Sequence, residues 1–273
     1  MESKIAQAIR SPYPPTALLF ADEKPEGATQ FAEGRWGCIM WLLASAAKGR
    51  AAVADRSTFG CLGGGTGLGF GNRYEEWPGG IECFYYFLST GNEGWEHGRS
   101  VEEQVRPFLR KQSFEHFVHG EGYVKSPELV RDFVEQLPMV DVPGRFVVLK
   151  PVEQLEEGEV PEVVTFLADP DRLAALVVLA NYDRPERDNV VIPHGAGCQS
   201  IGIYAYREAR GERQKAVVGL TDPSARVYVN RQIGPNLVTF TVPWRMFLEM
   251  EGNVEGSFLE KETWQSLLAE NPL

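Results

Sequence analysis

The chain has 273 residues, 43% hydrophobic and 11% aromatic, enough to bury a substantial core without disulfide or metal staples. A formal net charge of -11 and a pI near 5.0 repel phosphate backbones and anionic headgroups, which excludes nucleic acid and a membrane surface as expected partners. The longest apolar run, Cys38 to Ala47, is about half a bilayer crossing, and Met1 to Arg10 lacks a secretory core, so a cytoplasmic protein is expected.

Thr16 to Ala21 is a short apolar run between prolines and a charged turn, which predicts a buried strand. Trp36 to Lys48 is rich in helix formers and ends at Gly49, predicting a buried helix with Cys38 in its first turn. Ala51 to Phe59 reads as a strand. The stretch GCLGGGTGLGFG from Gly60 has more glycine than a helix or strand interior ordinarily tolerates, so it is expected to be a close-approach loop.

Ile81 to Leu88 is aromatic and reads as a strand or core run holding Cys83 as packing. Asn92 to Glu121 reads as a surface helix with flanking loops. Ser126 and Pro127 begin a helix that Pro138 ends, and Asp169 and Pro170 begin another whose apolar composition requires burial. Arg145 to Lys150, Glu162 to Leu167, Val190 to Pro193, Ser200 to Tyr206, Ala216 to Leu220, Arg226 to Val229 and Leu237 to Val242 read as strands. Closing helices are expected over Pro243 to Met250 and Glu260 to Ala269.

One internal echo emerges. A strand ending at Asp22 precedes a helix, a strand and Gly60-Cys61; a strand ending at Asp169 precedes a helix, a strand and Gly197-Cys198. The expected architecture is therefore α/β with an α+β mixed sheet in a single globular domain, 1–273. Two similar strand-helix-strand halves, about 12–90 and 145–245, would be joined by a helical segment and flanked by helices. A pseudo-twofold between them would place Cys61 and Cys198 on one crevice.

Cys38 with IMWLLASAAKG, and Cys61 with GCLGGGTGLGF, resemble the bacterial and archaeal family called domain of unknown function 169. That family is similar in carrying Cys-x-x-x-x-x-Ala on its first helix, matched by Cys38 and Ala44. It also carries Cys-x-[Ala/Gly]-Gly-x-x-x-Leu-Gly, matched by Cys61, Gly63, Gly64, Leu68 and Gly69. The likeness continues through the helix after Ser126, Lys150-Pro151, Asp169-Pro170 and Cys198, and so covers most of the chain. Members resemble one another in a later cysteine and arginine, where this chain has GLTDPSAR and keeps Arg226 alone. The resemblance implies no particular reaction.

The four cysteines form no Cys-x-x-Cys pair, so they are expected to be thiols rather than bridges. Cys61 followed by glycines stands where backbone amides can favour a thiolate or hold an anion at Gly63, Gly64 and Gly65; equally, the glycines serve a tight crossing of elements. Cys38, Cys61 and Cys198 together suit a soft transition metal or an iron-sulfur cluster, with His194, water or substrate as a fourth ligand; the alternative is three small buried hydrophobes. Arg226 is a candidate clamp for an anionic ligand. His116 and His119 are spaced for one helix face, where an ordinary polar surface is the commoner outcome.

Three functional readings follow. A soft metal, cluster or other cofactor sits in a cleft; or a small-molecule pocket forms beside Trp36, Phe59 and Phe70; or Cys61 acts as a nucleophile with His194 as base. The sequence decides neither the ligand nor whether there is a reaction, nor the oligomeric state.

Overall fold

The computed structural model describes residues 1–107 and 111–270. The chain divides into two compact units, Met1–Gly71 with Val140–Leu273, and Asn72–Met139. The first contains α1 (Lys4–Ala8), β1 (Thr16–Ala21), α2 (Met40–Ala47), β2 (Ala52–Asp55) and α3 (Leu62–Leu68). The second holds α4 (Ile81–Leu88), α5 (Gly98–Val105), α6 (Lys111–His119) and α7 (Pro127–Glu135). The chain then returns to the first unit with β3 (Phe146–Pro151), β4 (Val163–Ala168), α8 (Pro170–Ala180), β5 (Val190–Val191), α9 (Gly197–Ile201) and α10 (Ile203–Arg210). It closes with β6 (Ala216–Gly219), α11 (Pro223–Ile233), β7 (Val238–Pro243), α12 (Trp244–Gly252) and α13 (Glu262–Glu270).

The strands form a seven-stranded mixed sheet, ordered β2-β3-β1-β4-β7-β6-β5; among the described residues its neighbouring strands pair antiparallel except β5 with β6, which run parallel. Helices cover it, and β3 and β4 are buried along their whole length. That double cover explains why both are mostly apolar on both faces, with Lys150 and Thr165 as buried exceptions, instead of alternating apolar and polar. On one face Val164, Phe166, Val218, Phe240 and Val242 pack against Leu176 and Leu179 of α8 and Phe247 and Met250 of α12. The other face carries small and polar side chains, including the buried Thr165–Thr241 hydroxyl pair at 3.0 Å and Gly219. There α9 lies so close that a Cβ on Gly219 would stand 1.8 Å from Ser200 Oγ.

Outwards from the β1–β4 junction, the two halves of the sheet run β1-β3-β2 and β4-β7-β6, the same order, with β5 added at the far edge. The helices differ. The start of α2 meets α9 through Met40 and Gly197, whereas α8 joins the core of the opposite face.

Four segments depart from the local reading. The glycine-dense stretch is not a loop but α3, Ile81–Leu88 is α4, Ser200 to Tyr206 belongs to α9 and α10, and Arg226 to Val229 lies inside α11. In α4 aromatic residues satisfy a helical face: Cys83, Phe84 and Tyr85 are buried, and Phe84 stacks on Tyr74 with ring centroids 4.1 Å apart. In α11 the β-branched run is overruled by its start, where Asp222 caps the Ala225 amide and Pro223 occupies the first turn. The expected helix containing Cys38 begins later, at Met40, so Cys38 precedes it. Helix α8 keeps Val178 outward, 48% exposed, and is buried on one side only.

Candidate thiol site

Three segments in the first unit bring cysteines to helix starts. Gly60 has φ +74, and a Cβ there would stand 2.5 Å from the Gly37 carbonyl oxygen, so only glycine lets the approach to α3 cross the approach to α2 this closely. Cys61 is the N-cap of α3; Cys38 lies just ahead of α2, its carbonyl accepting from the Trp41 amide at 3.0 Å.

The third segment is held by glycine contacts. A Cβ on Gly67 would stand 2.8 Å from Cys198 Sγ, and one on Gly202 would stand 1.9 Å from the Gly67 oxygen. On its other side α3 presses Gly64 against Ile39, where a Cβ would meet Cγ1 at 2.5 Å. Glycine in a helix interior costs about 1 kcal/mol relative to alanine. The close crossing of α3 with α9 and the α2 approach offsets that cost; of the three glycines named from the sequence, Gly64 and Gly65 are buried and Gly63 is half-buried.

Cys61 Sγ accepts the Gly64 amide at 3.2 Å, and the amides of Ile39 and of Cys61 itself also favour its charged form. Cys38 is served by the Met40 amide. Cys198 instead donates its S–H to the Gly63 carbonyl at 3.1 Å. Cys198 and Cys61 therefore sit at the two ends of one peptide unit, Gly63–Gly64. A trans peptide points its oxygen and hydrogen in opposite directions, which holds the two sulfurs apart.

Burial raises the pKa of every thiol here. Cys38 is pushed up to about 12, by burial first and then by Cys61, against the pull of the Met40 amide. Burial also raises Cys61 against its three amides. Cys198 goes well above the ordinary thiol range through burial, then through Cys61, Cys38 and Asp222. The three thiols thus lie within electrostatic reach of one another.

Asp222 is the member of this neighbourhood that the sequence reading did not single out. It is buried, its Oδ2 accepting from the Gly197 amide at 2.6 Å and its Oδ1 from the Ala225 amide at 2.7 Å. It fastens the start of α9 to the start of α11. Burial raises its pKa, while those amides and the charge of His194 oppose the rise. The signal was available as Asp222-Pro223, the same cap-and-proline pair seen at Asp169-Pro170.

His194 is exposed, its carbonyl accepts from Tyr204 Oη at 3.1 Å, and its imidazole acts on Asp222. Arg226 donates to the carbonyls of Leu220, Leu237 and Pro235, which fixes the loop before β7 and engages the guanidinium. His119 pairs with Glu93 and Glu115, and His116 with Glu121, on the second unit's surface. Phe70 is buried under Arg56, Phe59 is half-buried and Trp36 is 65% exposed. A cavity of about 420 Å³ bounded by Phe20, Glu162, Arg210 and Trp244 has none of the cysteines in its wall. Cys83 in the second unit is fully buried and pushed up to about 12, chiefly by that burial.

Among the described residues, no group of three or more His, Cys, Asp and Glu is placed to hold a metal ion. Of the expected three-thiolate set of Cys38, Cys61 and Cys198, two members, Cys61 and Cys198, have the Gly63–Gly64 peptide between them. Also among the described residues, no helix is long and apolar enough to cross a membrane.

A family model described as uncharacterised ArCR, domain of unknown function 169, matches residues 4–253. No curated protein and no solved structure matches the chain.

Proposed function

The chain belongs to the domain of unknown function 169 family, and from that premise we propose that it binds a soft metal ion through the thiolates of Cys38 and Cys61. The observation that carries this reading is the set of backbone amides directed at sulfur: Ile39, Cys61 and Gly64 at Cys61, and Met40 at Cys38. Amide donors do little for a neutral thiol and much for a thiolate. Yet the other charges acting on these sulfurs are anionic, namely Cys61 on Cys38 and Asp222 on both. Preparation for negative charge without a cationic neighbour among those groups is what a thiophilic cation would complete. Each thiol then gives its proton to solvent as its sulfur bonds the ion.

Cys198 stays outside the ligand set, since its S–H is engaged by Gly63. Two thiolates suit low-coordinate soft ions and provide too few ligands for an iron-sulfur cluster. The test is titration of reduced full-length protein with cadmium(II), followed by the ultraviolet sulfur-to-metal band. Cys38→Ser and Cys61→Ser should each abolish the band, while Cys83→Ser keeps it. A Cys61→Ser protein that binds as tightly as the parent overturns the proposal.

A further inference from the structure

The cavity of about 420 Å³ lies in the first unit, with Phe20, Glu162, Arg210, Gln214, Trp244 and Arg245 in its wall. Glu162 directly precedes β4 and Trp244 opens α12, and the Trp244 amide donates to the Glu162 carbonyl at 3.1 Å, which holds the two residues side by side. Phe20 of β1 stands edge-on to the buried Tyr206, with ring centroids 5.3 Å apart. Arg210 ends α10.

The polar groups of this wall are incompletely paired within the chain. Glu162 Oε1 stands 3.7 Å from Arg210 Nε, too far for a hydrogen bond. Among the described residues, neither side chain makes a hydrogen bond to any other group. Glu162 is half-buried, and that burial raises its pKa against the pull of Arg210. Gln214 adds a second acceptor: its Nε2 donates to the Ala209 carbonyl at 2.7 Å, while its Oε1 is buried and meets no donor. On the cationic side, Arg245 and Arg184 donate to the same carboxylate, Glu249, at 3.1 and 2.6 Å, so it balances one of the two. Free acceptors and surplus guanidinium charge therefore share one cleft with two aromatic side chains.

We infer that this cleft binds a small zwitterion, an α-amino acid with a large apolar side chain. The ammonium group donates to Glu162 and to Gln214 Oε1, the carboxylate accepts from Arg210 and Arg245, and the side chain lies against Phe20 and Trp244. A simple anion would leave both acceptors without a donor and would face the charge of Glu162. A simple cation would face two guanidinium groups. A molecule carrying both charges meets neither penalty, and the few polar groups beside an apolar wall fix its orientation. The inference stands apart from the thiol reading, since no cysteine lines this cavity.

Calorimetric titration of the full-length protein with L-phenylalanine tests it, with 3-phenylpropanoate and 2-phenylethylamine as probes that each lack one charge. Phenylalanine should bind saturably and about tenfold or more tighter than either. Glu162→Gln should weaken phenylalanine about tenfold and leave 3-phenylpropanoate no weaker, whereas Arg210→Gln should weaken phenylalanine about tenfold and leave 2-phenylethylamine no weaker. Both side chains reach solvent, and an unchanged melting temperature shows that a variant folds as the parent does. Should either variant melt early, the parent's ranking of the three probes decides. Absence of saturable phenylalanine binding overturns the inference, as does a parent protein that binds 3-phenylpropanoate equally well. Parent-like phenylalanine affinity in both folded variants overturns it too.

Discussion

Individual thiols in this protein are held in their protonated form. With Cys38 and Cys83 both at about 12 against an ordinary 9.0, the thiolate fraction at pH 8 is about a thousandfold below that of a free cysteine. Alkylation of either residue in the native protein should be correspondingly slow and rise about tenfold per pH unit up to that value, as peptide mass spectrometry would show. Because a Cys61 thiolate is the leading charge acting on Cys38, Cys61→Ala should speed modification of Cys38 at the alkaline pH where Cys61 itself ionises. The same shifts fix a stability window. The folded thiols hold protons more tightly than the unfolded chain does, so their contribution is intact below pH 9 and is lost between 9 and about 12. Denaturant midpoints that hold constant from pH 9 to 11 would contradict it.

Elements differ in how openly their sequences declare them. Ser126-Pro127 and Asp169-Pro170 specify α7 and α8 locally, through a capping oxygen and a preset φ, and are legible without any partner. Asp222-Pro223 carries the same signature, but Arg-Val-Tyr-Val after it has strand-like composition, and two local cues conflict. Helix α3 is a different case, because no local propensity supports it. Its support comes from Ile39, Cys198 and Gly202, residues remote in sequence that require the absence of side chains. The placement of Cys61 and Cys198 was not legible in the sequence, because it depends on which end of the Gly63–Gly64 peptide unit each one meets. The crossing makes a quantitative demand: Gly67→Ala should cost about 3 kcal/mol or more through overpacking. Gly252→Ala, which meets nothing within 4 Å, should change stability by less than about 1 kcal/mol. Urea denaturation of the two variants compares them directly.

At the scale of the whole molecule, the second unit is an insertion between two neighbouring strands of chain. The Gly71 amide donates to the Val140 carbonyl at 3.1 Å, the Val142 amide donates to the Gly69 carbonyl at 2.8 Å, and Phe70 bridges Asp141. The exit from the first unit and the return to it are thus already joined. Replacing Asn72–Met139 with a short glycine linker should leave a protein that melts cooperatively and binds cadmium(II) as the full chain does. Loss of cooperative melting would show that the sheet unit depends on the inserted one.

That joined doorway bears on the order of events as the chain folds. Pairing β3 with β1 and β2 requires closing a long intervening segment, and the entropy of closure grows with its length. An inserted unit that collapses early, from helices with short-range contacts, shortens the effective span before the central strands have to meet. Slowing that early collapse, for instance by removing the Ser126 cap from α7, should therefore delay assembly of a sheet to which α7 contributes no strand.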